Sequence, residues 1–394
     1  PAAARAPVTR EQALSTSAAS RIVIDTGAVD GSISLEGARI DDLNLRGYRR
    51  TVDPTSPEVT VLSPMSTPFG HDAFFGWELR SGEDVSTLAD ATSIWTASDA
   101  AARLTPQTPI TLTLQAGPGI TIERTISVDE NYMFTSTDVV RNERDTALTL
   151  RPLGVVRRQG LPEGYVFNQI VHQGMIGTFG GQTRQLTYRD ADKHARERVR
   201  ERVGEDERAQ TWQGEGSWLG VTDHYWLTAI VPPSDESVSA YYDARTEAGG
   251  TNDYRAAYRG EWHEIPAGTE YTYSQRLFAG AKRYELLRDY ERGDEAAGLA
   301  PIPRFDWAID WGNFWFLTRP FFQWLLHPLG QLFANWGIIF NFGLAIIAST
   351  VIIKMAMLPL VIQSFKMTAK MRALQPKMKE IQERYAADKQ RQQQ

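Results

Sequence analysis

Short runs that alternate between apolar and polar residues follow one another from residue 21 to residue 280. The clearest are SISLE from Ser32, ITLTL from Ile110 and TEYTYSQ from Thr269, and Gly, Pro, Asp and Asn separate the runs. A period of two places one side-chain face of a strand inward and the other outward. The pattern predicts one large β-sandwich at residues 21–280, which is too long for a seven-stranded module.

Two short segments flank this predicted domain. Residues 1–20 are rich in Ala, Ser and Thr and predict a flexible linker. After the domain, the sequence AKRYELLRDYERG predicts a closing helix that ends at Gly293, and a proline-containing hinge follows. We assign residues 281–304 to this closing helix and hinge.

Residues 305–335 are unusually rich in tryptophan and phenylalanine. Such a composition is typical of an amphipathic helix that lies in the membrane interface, here anchored by Trp311, Trp315 and Trp324. A second membrane span is the alternative. The interruptions at Pro320 and Pro328 favour the interfacial helix.

Residues 343–365 contain a single charged residue, Lys354. At ~1.5 Å per residue the stretch reaches ~34 Å, which is enough to cross a hydrocarbon core of ~30 Å. It therefore predicts a transmembrane helix, in which a central lysine opposes insertion by roughly 2.5–3.5 kcal/mol. Lys354 lies ~16 Å from either end, so we expect water or an acidic group beside it. Pro359 cannot donate a hydrogen bond to the carbonyl of Met355 and is expected to bend the helix.

Charge sets the predicted orientation. Residues 366–394 contain eight Lys/Arg and three Asp/Glu, whereas residues 1–303 carry twelve excess negative charges. By the positive-inside rule, residues 366–394 are cytoplasmic and residues 1–335 are periplasmic. The chain has no cysteine, which excludes disulfide and thiol chemistry within it.

Residues 366–394 predict a basic, cytoplasmic helical hairpin, of which the chain contains the beginning. An apolar stripe follows one side of its first helix, at Met367, Met371, Leu374 and Met378. Packing against a returning helix is the favoured interpretation, and docking of varied apolar partners is the alternative. Pro376 either kinks this helix or begins a second one. The basic flanks also suit anionic lipid head groups.

No motif for catalysis, metal binding or phosphate binding is evident. The six histidines have no metal-ligand spacing, and Leu219 in GEGSWLG stands where a nucleophile elbow requires glycine. We therefore expect no enzyme activity, no cofactor, no metal and no nucleic-acid substrate.

Two further features have a favoured structural interpretation and a functional alternative. Six tryptophans of the predicted sandwich either pack in its core, which is favoured, or form a platform for sugar rings: Trp77, Trp95, Trp212, Trp218, Trp226 and Trp262. A charge-dense insertion at residues 190–210 is interpreted as a solvated surface helix or mobile loop, and a binding site is the alternative.

Several stretches together resemble the YidC family of bacterial membrane protein insertases. NFGLAIIASTVIIKMAMLPLVIQSFKMTAKMRALQPKMKEIQERY, preceded by DWGNFWFLTRPFF, is similar to that family's second transmembrane helix, interfacial helix and first cytoplasmic hairpin. Upstream, SLEGARIDDLNLRGY, WLGVTDHYW and LFAGAK resemble the large periplasmic domain of the Gram-negative members. The resemblance implies a β-supersandwich of the galactose-mutarotase type followed by an α-helical membrane segment.

The resemblance also implies a function and a site. In that family, five membrane helices surround a water-containing groove that holds one basic residue, usually arginine, and Lys354 matches it. Lysine keeps the charge but lacks the planar guanidinium fork, so a strictly bidentate contact would not be essential. Thr350 matches a groove position that meets the client chain, and a hydrogen bond to a carbonyl of its own helix is the alternative role for its hydroxyl.

The implied partners are nascent membrane proteins, the Sec translocon, the ribosome and membrane lipids. Members of the family also have an N-terminal anchor and four further membrane helices after the hairpin. We therefore expect the chain to be the N-terminal portion of a multi-pass inner-membrane insertase, lacking the first and the later membrane helices. Two other functions are alternatives: a membrane-tethered carbohydrate-binding sandwich, and a periplasmic docking scaffold for translocation subunits.

Overall fold

The chain divides into two compact units, Pro1–Asp310 and Trp311–Gln394. The computed structural model describes residues 8–82, 84–99, 101–166, 171–200, 210–246, 252–294 and 299–384. Within these residues, the first unit contains the β-strands and the second is helical. This order of a β domain followed by a helical segment confirms the predicted fold class.

The described strands of the first unit pair into two sheets. Their bounds are β1 (Arg21–Asp25), β2 (Val29–Ser34), β3 (Arg39–Arg49), β4 (Glu58–Leu62), β5 (His71–Ser81), β6 (Asp84–Ala89), β7 (Thr96–Ala97), β8 (Arg103–Leu104), β9 (Ile110–Gly117), β10 (Ile120–Val128), β11 (Met133–Asn142), β12 (Leu148–Gln159), β13 (Gly174–Phe179), β14 (Gln182–Thr187), β15 (Gln210–Thr222), β16 (Trp226–Val231), β17 (Ser237–Thr246), β18 (Asn252–Arg259), β19 (His263–Ile265) and β20 (Glu270–Ala281).

The first sheet runs in the order β8, β1, β2, β3, β5, β12, β18, β17 and the first half of β15. β4 adds to β3, β6 to β5, and β19 to β12. The second sheet runs β7, β9, β10, β11, β20, β16, the second half of β15, β13 and β14. β15 therefore belongs to both sheets.

The two sheets enclose one large hydrophobic core. β10 shows how the alternating pattern builds it, because every second side chain from Ile120 to Val128 is buried. The inward side chains of both sheets belong to one contiguous cluster. Two layers around one core form the predicted supersandwich.

A buried ion pair bridges the sheets. The Arg124 guanidinium donates to both Asp138 carboxylate oxygens at 2.7 Å, and its Nη1 donates to the Phe75 carbonyl at 3.1 Å. The Trp77 indole donates to the same carboxylate at 2.8 Å, and the guanidinium lies 4.4 Å from the Trp95 ring centroid. Arg124 and Asp138 lie on the second sheet and Trp77 on the first, so the charged pair is satisfied from both layers.

The structure differs from the predicted linker at residues 1–20. Helix α1 (Arg10–Ser17) begins at a capping box, in which Gln12 N–H donates to Thr9 Oγ1 at 3.3 Å and Thr9 N–H donates to Gln12 Oε1 at 3.1 Å. The Arg10 guanidinium pairs with the buried Asp42 carboxylate. The ion pair joins α1 to the first sheet, and residues 1–7 lie outside the described part.

The charge-dense insertion begins with helix α2 (Tyr188–Arg200), which agrees with the interpretation as a surface helix. One side of this helix is attached to the domain, since Tyr188 and Ala191 are buried. Asp192 accepts hydrogen bonds from Asn252 and Tyr254. Residues 201–209 of the predicted insertion lie outside the described residues, and its last residue, Gln210, begins β15.

Helix α3 (Tyr284–Arg292) is the predicted closing helix, and it ends at Gly293, whose φ of +71° suits glycine. The domain continues beyond the predicted hinge, however. Phe305 and Ala308 are buried in the core of the first unit, within a short 3₁₀ turn. The predicted interfacial helix at 305–335 therefore starts too early, because its first residues complete the β domain.

The second unit is helical from Trp315 onward. α4 (Trp315–Phe321) passes through a π-helical turn at Phe322–Leu326 into α5 (His327–Asn335). The long helix α6 (Asn341–Arg384) follows after a short connection. α6 contains both Pro359 and Pro376 without a break, so no second helix begins at Pro376. A returning arm of the predicted hairpin is not among the residues described through Arg384.

Candidate functional site

α6 is long and apolar enough to cross a membrane by its length and composition. Within Asn341–Glu380, an 18-residue window has a mean hydropathy of 2.3 and at most two charged residues, and little of that window is buried within the structure. Lys354 lies in this stretch with its side chain exposed. In a bilayer that exposure is costly unless water or an acidic group meets the amine.

One face of α6 is already covered by α5. Ala345 and Ser349 are buried on that face, and Phe342 lies against Gly330 of α5. A Cβ atom added at Gly330 would lie 3.0 Å from the Phe342 ring. Glycine therefore lets the two helices approach closely, and this seam fixes which side of α6 remains uncovered.

Lys354 lies on the uncovered side. It follows Ser349 by five residues, which places it about 140° around the helix from the α5 seam. Thr350 precedes it by one turn, with its Cα ~6 Å away along the axis. Both side chains are exposed, and together they form a polar face, defined here as Thr350 and Lys354.

The Thr350 hydroxyl donates to the Ile346 carbonyl at 2.8 Å. This is the alternative role that the sequence left open. The bond satisfies the hydroxyl within its own helix, as is common for threonine in apolar helices. The hydroxyl oxygen keeps lone pairs that can accept a hydrogen bond from another chain.

Pro359 follows Lys354 by five residues, about 1.4 turns, and removes one backbone donor from α6. The Met355 carbonyl consequently lacks its usual helical partner. The backbone thus presents an additional acceptor a few ångströms from the polar face. Lys366, which opens the basic end of the helix, follows Lys354 by ~18 Å along the axis.

Exposed aromatic side chains precede α6. Trp315 is 48% and Trp324 is 79% exposed, while Trp311 is half-buried with its ring 5.6 Å from that of Phe322. The π-helical turn that carries Trp324 lies directly before Pro328. Pro328 cannot donate to the Trp324 carbonyl, and the helix widens there.

The apolar stripe of the basic end is present on α6 as predicted. Its four members are exposed on one side of the helix: Met367, Met371, Leu374 and Met378. No described residue covers them.

The other candidate chemistry of the sequence does not assemble into a site. Three of the six candidate tryptophans have side chains buried in the core: Trp77, Trp95 and Trp218. The guanidinium groups of Arg80 and Arg151 lie 4.1 and 4.3 Å from the centroid of the Trp262 ring. The predicted core packing therefore holds for the buried three, and Trp262 stacks with arginine side chains of its own domain. Among the described residues, no cluster of His, Asp and Glu could hold a metal ion.

One polar cluster was missed by sequence reasoning. The Lys282 amine donates to Thr222 Oγ1 and to the Asp223 carbonyl, each at 2.9 Å. Burial lowers the pKa of Lys282 to about 8, although the negative charges of Asp223 and Asp310 act in the opposite direction and raise it. Asp310 also accepts the His172 backbone N–H at 2.6 Å. No local pattern could reveal this cluster, because its members are far apart in the chain.

Comparison with known families gives matches to both units. Residues 21–324 match the family model described as YidC periplasmic domain, and residues 333–394 match the one described as 60Kd inner membrane protein. The protein described as membrane protein insertase YidC from Methylobacterium radiotolerans is 38% identical over 398 residues, covering 100% of this chain and 60% of that protein. Its counterpart from Caulobacter vibrioides is 37% identical over 383 residues, covering 95% and 59%. The chain thus spans less than two thirds of these relatives.

Two solved structures are similar to the β domain. A galactose mutarotase related enzyme from Lactobacillus acidophilus covers 66% of this chain and 97% of its own, with 11% identity and a TM-score of 0.43. A putative aldose 1-epimerase from Escherichia coli K12 covers 66% and 98%, with 9% identity and a TM-score of 0.38. At these scores the strand pairings given above, and not the likeness, define the fold.

Proposed function

Because the chain belongs to the YidC family of membrane protein insertases, we propose that its polar face, Thr350 and Lys354, helps segments of newly made membrane proteins to enter the bilayer. The family is one of the inner membrane, and residues 21–324 match its periplasmic domain. The relatives are named as insertases, in agreement with the prediction that no enzymatic reaction is involved. The observation that carries the proposal is an exposed lysine in an otherwise apolar span.

The proposed mechanism is electrostatic attraction followed by apolar burial. A hydrated cation midway through the bilayer shortens the apolar barrier and attracts acidic or polar residues of the incoming segment. The apolar part of that segment then moves into lipid, which releases it from the polar face. Burial of apolar surface, at ~25 cal/mol per Å², supplies the drive, so no nucleotide is required.

Crosslinking from Thr350 tests client contact directly. The chain has no cysteine, so T350C in the intact protein introduces a single thiol into this region. We expect a disulfide to a stalled membrane-protein nascent chain that carries its own cysteine. The matched control is I352C, which is exposed but lies about 160° around the helix from Thr350. Equal crosslinking at both positions, or none at Thr350, would contradict the assignment.

Charge replacement tests the role of Lys354. K354A should slow insertion most for clients with acidic translocated tails, whereas K354R should retain activity because it keeps the charge. Clients with neutral tails are the internal comparison. Full insertion of acidic-tailed clients by K354A would mean that the charge plays no part.

The remaining assignments are also proposals. We infer that Trp311, Trp315 and Trp324 anchor an interfacial segment, that Pro359 loosens the helix near the lysine, and that the stripe from Met367 to Met378 packs on a returning cytoplasmic helix. Residues 366–394 would be cytoplasmic and would meet lipid head groups and, during synthesis, the ribosome.

A docking role for the periplasmic domain can coexist with insertion. The excess negative charge of residues 1–303 supports contact with a partner such as the Sec translocon. Pull-downs from membranes, with and without residues 21–280, would separate docking from insertion. Recovery of Sec subunits without these residues would contradict a docking role for them.

A further inference from the structure

Several loops of the sandwich converge at one end of the first unit. We call it the exit end and define it by the loops at 50–57, 64–70, 160–166 and 223–225. β5 starts there and β12 finishes there, since His71 pairs with Arg158. Arg158 in turn donates to Asp223 at 2.7 Å, which joins the first sheet to the 223–225 turn of the second. The exit end is therefore a single continuous surface built from both sheets.

Exposed apolar side chains concentrate on these loops. Val52 is fully exposed, and four others are 40–64% exposed: Phe69, Leu161, Val166 and Tyr225. The other exposed large apolar residues described in this unit are Val8, Val23, Val85 and Ile94. Single exposed apolar residues are ordinary on any surface, but several at the loop tips of one end mark an interaction surface.

Hydrogen bonds hold the loops that carry these tips in place. Gln159 N–H donates to the Gly70 carbonyl at 2.7 Å, which ties the start of the 160–166 loop to the end of the 64–70 loop. Arg50 donates to Glu163 at 3.4 Å, and Lys282 N–H donates to the Tyr225 carbonyl at 2.9 Å. Because the loops are joined to one another and to the strands, the apolar tips are held on one side of the domain.

The chain leaves the domain at this same end. Asp310, the last residue of the first unit, accepts the His172 backbone N–H at 2.6 Å, just before β13 begins at the exit end. The following residue, Trp311, begins the unit that contains α6. The backbone therefore joins α6 to this end of the sandwich.

We propose that the exit end rests on the lipid surface and that its apolar loop tips dip into the headgroup region. The tether raises the local concentration of lipid, so that a few shallow side chains suffice for contact. The excess negative charge of residues 1–303 disfavours an ionic attraction to anionic lipid. The contact is therefore apolar and insensitive to salt. It requires α6 to span the bilayer but does not require Lys354 to act in insertion.

Lipid-borne quenchers test this contact on the whole 394-residue chain in vesicles of phosphatidylcholine and phosphatidylglycerol. An environment-sensitive fluorophore is attached at T51C or S66C, exposed positions beside the tips, or at A267C in the turn at the opposite end of the sandwich. We expect lipids labelled near the headgroup to quench the first two roughly twofold more than A267C. The additional changes V52S and F69S should reduce quenching at T51C toward the A267C level.

Three results would overturn the proposal: equal quenching at all three sites, quenching at T51C that V52S and F69S leave unchanged, or quenching that salt abolishes. A label at I347C on α6, quenched by deeply placed lipid labels, reports separately that the helix is inserted. If I347C is not quenched, the membrane placement in the proposed function fails as well. If it is quenched while T51C and S66C behave like A267C, only the proposed surface contact fails.

Discussion

The ion pair between Arg124 and Asp138 makes a sharp prediction about the stability of the sandwich. D138N removes the negative charge with almost no change in shape and leaves a buried guanidinium uncompensated. Both side chains are at most 1% exposed. Breaking a pair so completely desolvated costs about 3–5 kcal/mol, a large part of the stability of an ordinary domain.

The same two strands provide a matched control. Glu123 on β10 and Arg141 on β11 form an ion pair at 3.2 Å with side chains 38% and 40% exposed. Because solvent screens this pair, E123Q should cost no more than ~1 kcal/mol. The comparison keeps the same pair of strands, the same charge type and an isosteric change, and it varies the burial.

Urea unfolding of the chain in detergent, followed by near-ultraviolet circular dichroism of the core tryptophans, measures both losses. A double variant, R124M/D138L, removes both charges and should recover most of the stability that D138N loses. If D138N and E123Q destabilised equally within ~0.5 kcal/mol, burial would not govern the strength of this pair.

Three further predictions concern other parts of the molecule. The pKa of Lys282 is lowered to about 8, so the amine of the unfolded chain keeps its proton to higher pH than that of the folded chain. The free energy of unfolding should therefore rise with pH above 8 until the unfolded amine also loses its proton. K282M should flatten this rise, as measured by urea midpoints at mildly alkaline pH. G330A should be tolerated, since the partly exposed Phe342 ring can move away from a Cβ at 3.0 Å. G330I should instead separate α5 from α6 and speed proteolysis between them. Equal protease resistance of both variants would contradict the close seam. P359A restores the donor to Met355 and should slow hydrogen exchange in that part of α6; unchanged exchange would show that the proline does not loosen the helix.

The alternating pattern that predicts the strands also identifies two charged residues at inward positions. The inward positions of β10 include Arg124 among isoleucines, and those of β11 include Asp138. Each is an isolated charge on an apolar face, which predicts a buried partner. Their pairing with each other, and with Trp77 of the opposite sheet, depends on contacts between distant strands and could not be deduced from local pattern.

Local signals were also available at the N-terminus. Thr9 and Gln12 have the spacing of a capping box, which marks the start of α1, but the Ala/Ser/Thr-rich composition of the segment favoured a linker. The end of the β domain was misplaced for the opposite reason. Phe305 and Trp307 continue the aromatic composition of the following unit, and composition alone cannot show that Phe305 packs under the sandwich.

The candidate site was predictable to the extent that it depends on one helix. A single charge in an apolar stretch identifies Lys354, and helical spacing places Thr350 beside it. The side of α6 that α5 covers was not predicted, because it depends on the contact between Gly330 and Phe342 across two helices. The small residues Ala345 and Ser349, four apart and both buried, are the local signal that could have indicated a close helix seam.

β15 has a consequence for how the domain responds to force or heat. Residues Gln210–Glu215 pair with β17 in one layer and residues Gly216–Thr222 pair with β13 in the other. Peeling this strand from either layer pulls on its hydrogen bonds to the other layer, so unfolding of one layer weakens the other. Heat or tension that frees β15 would therefore loosen both faces of the sandwich at once.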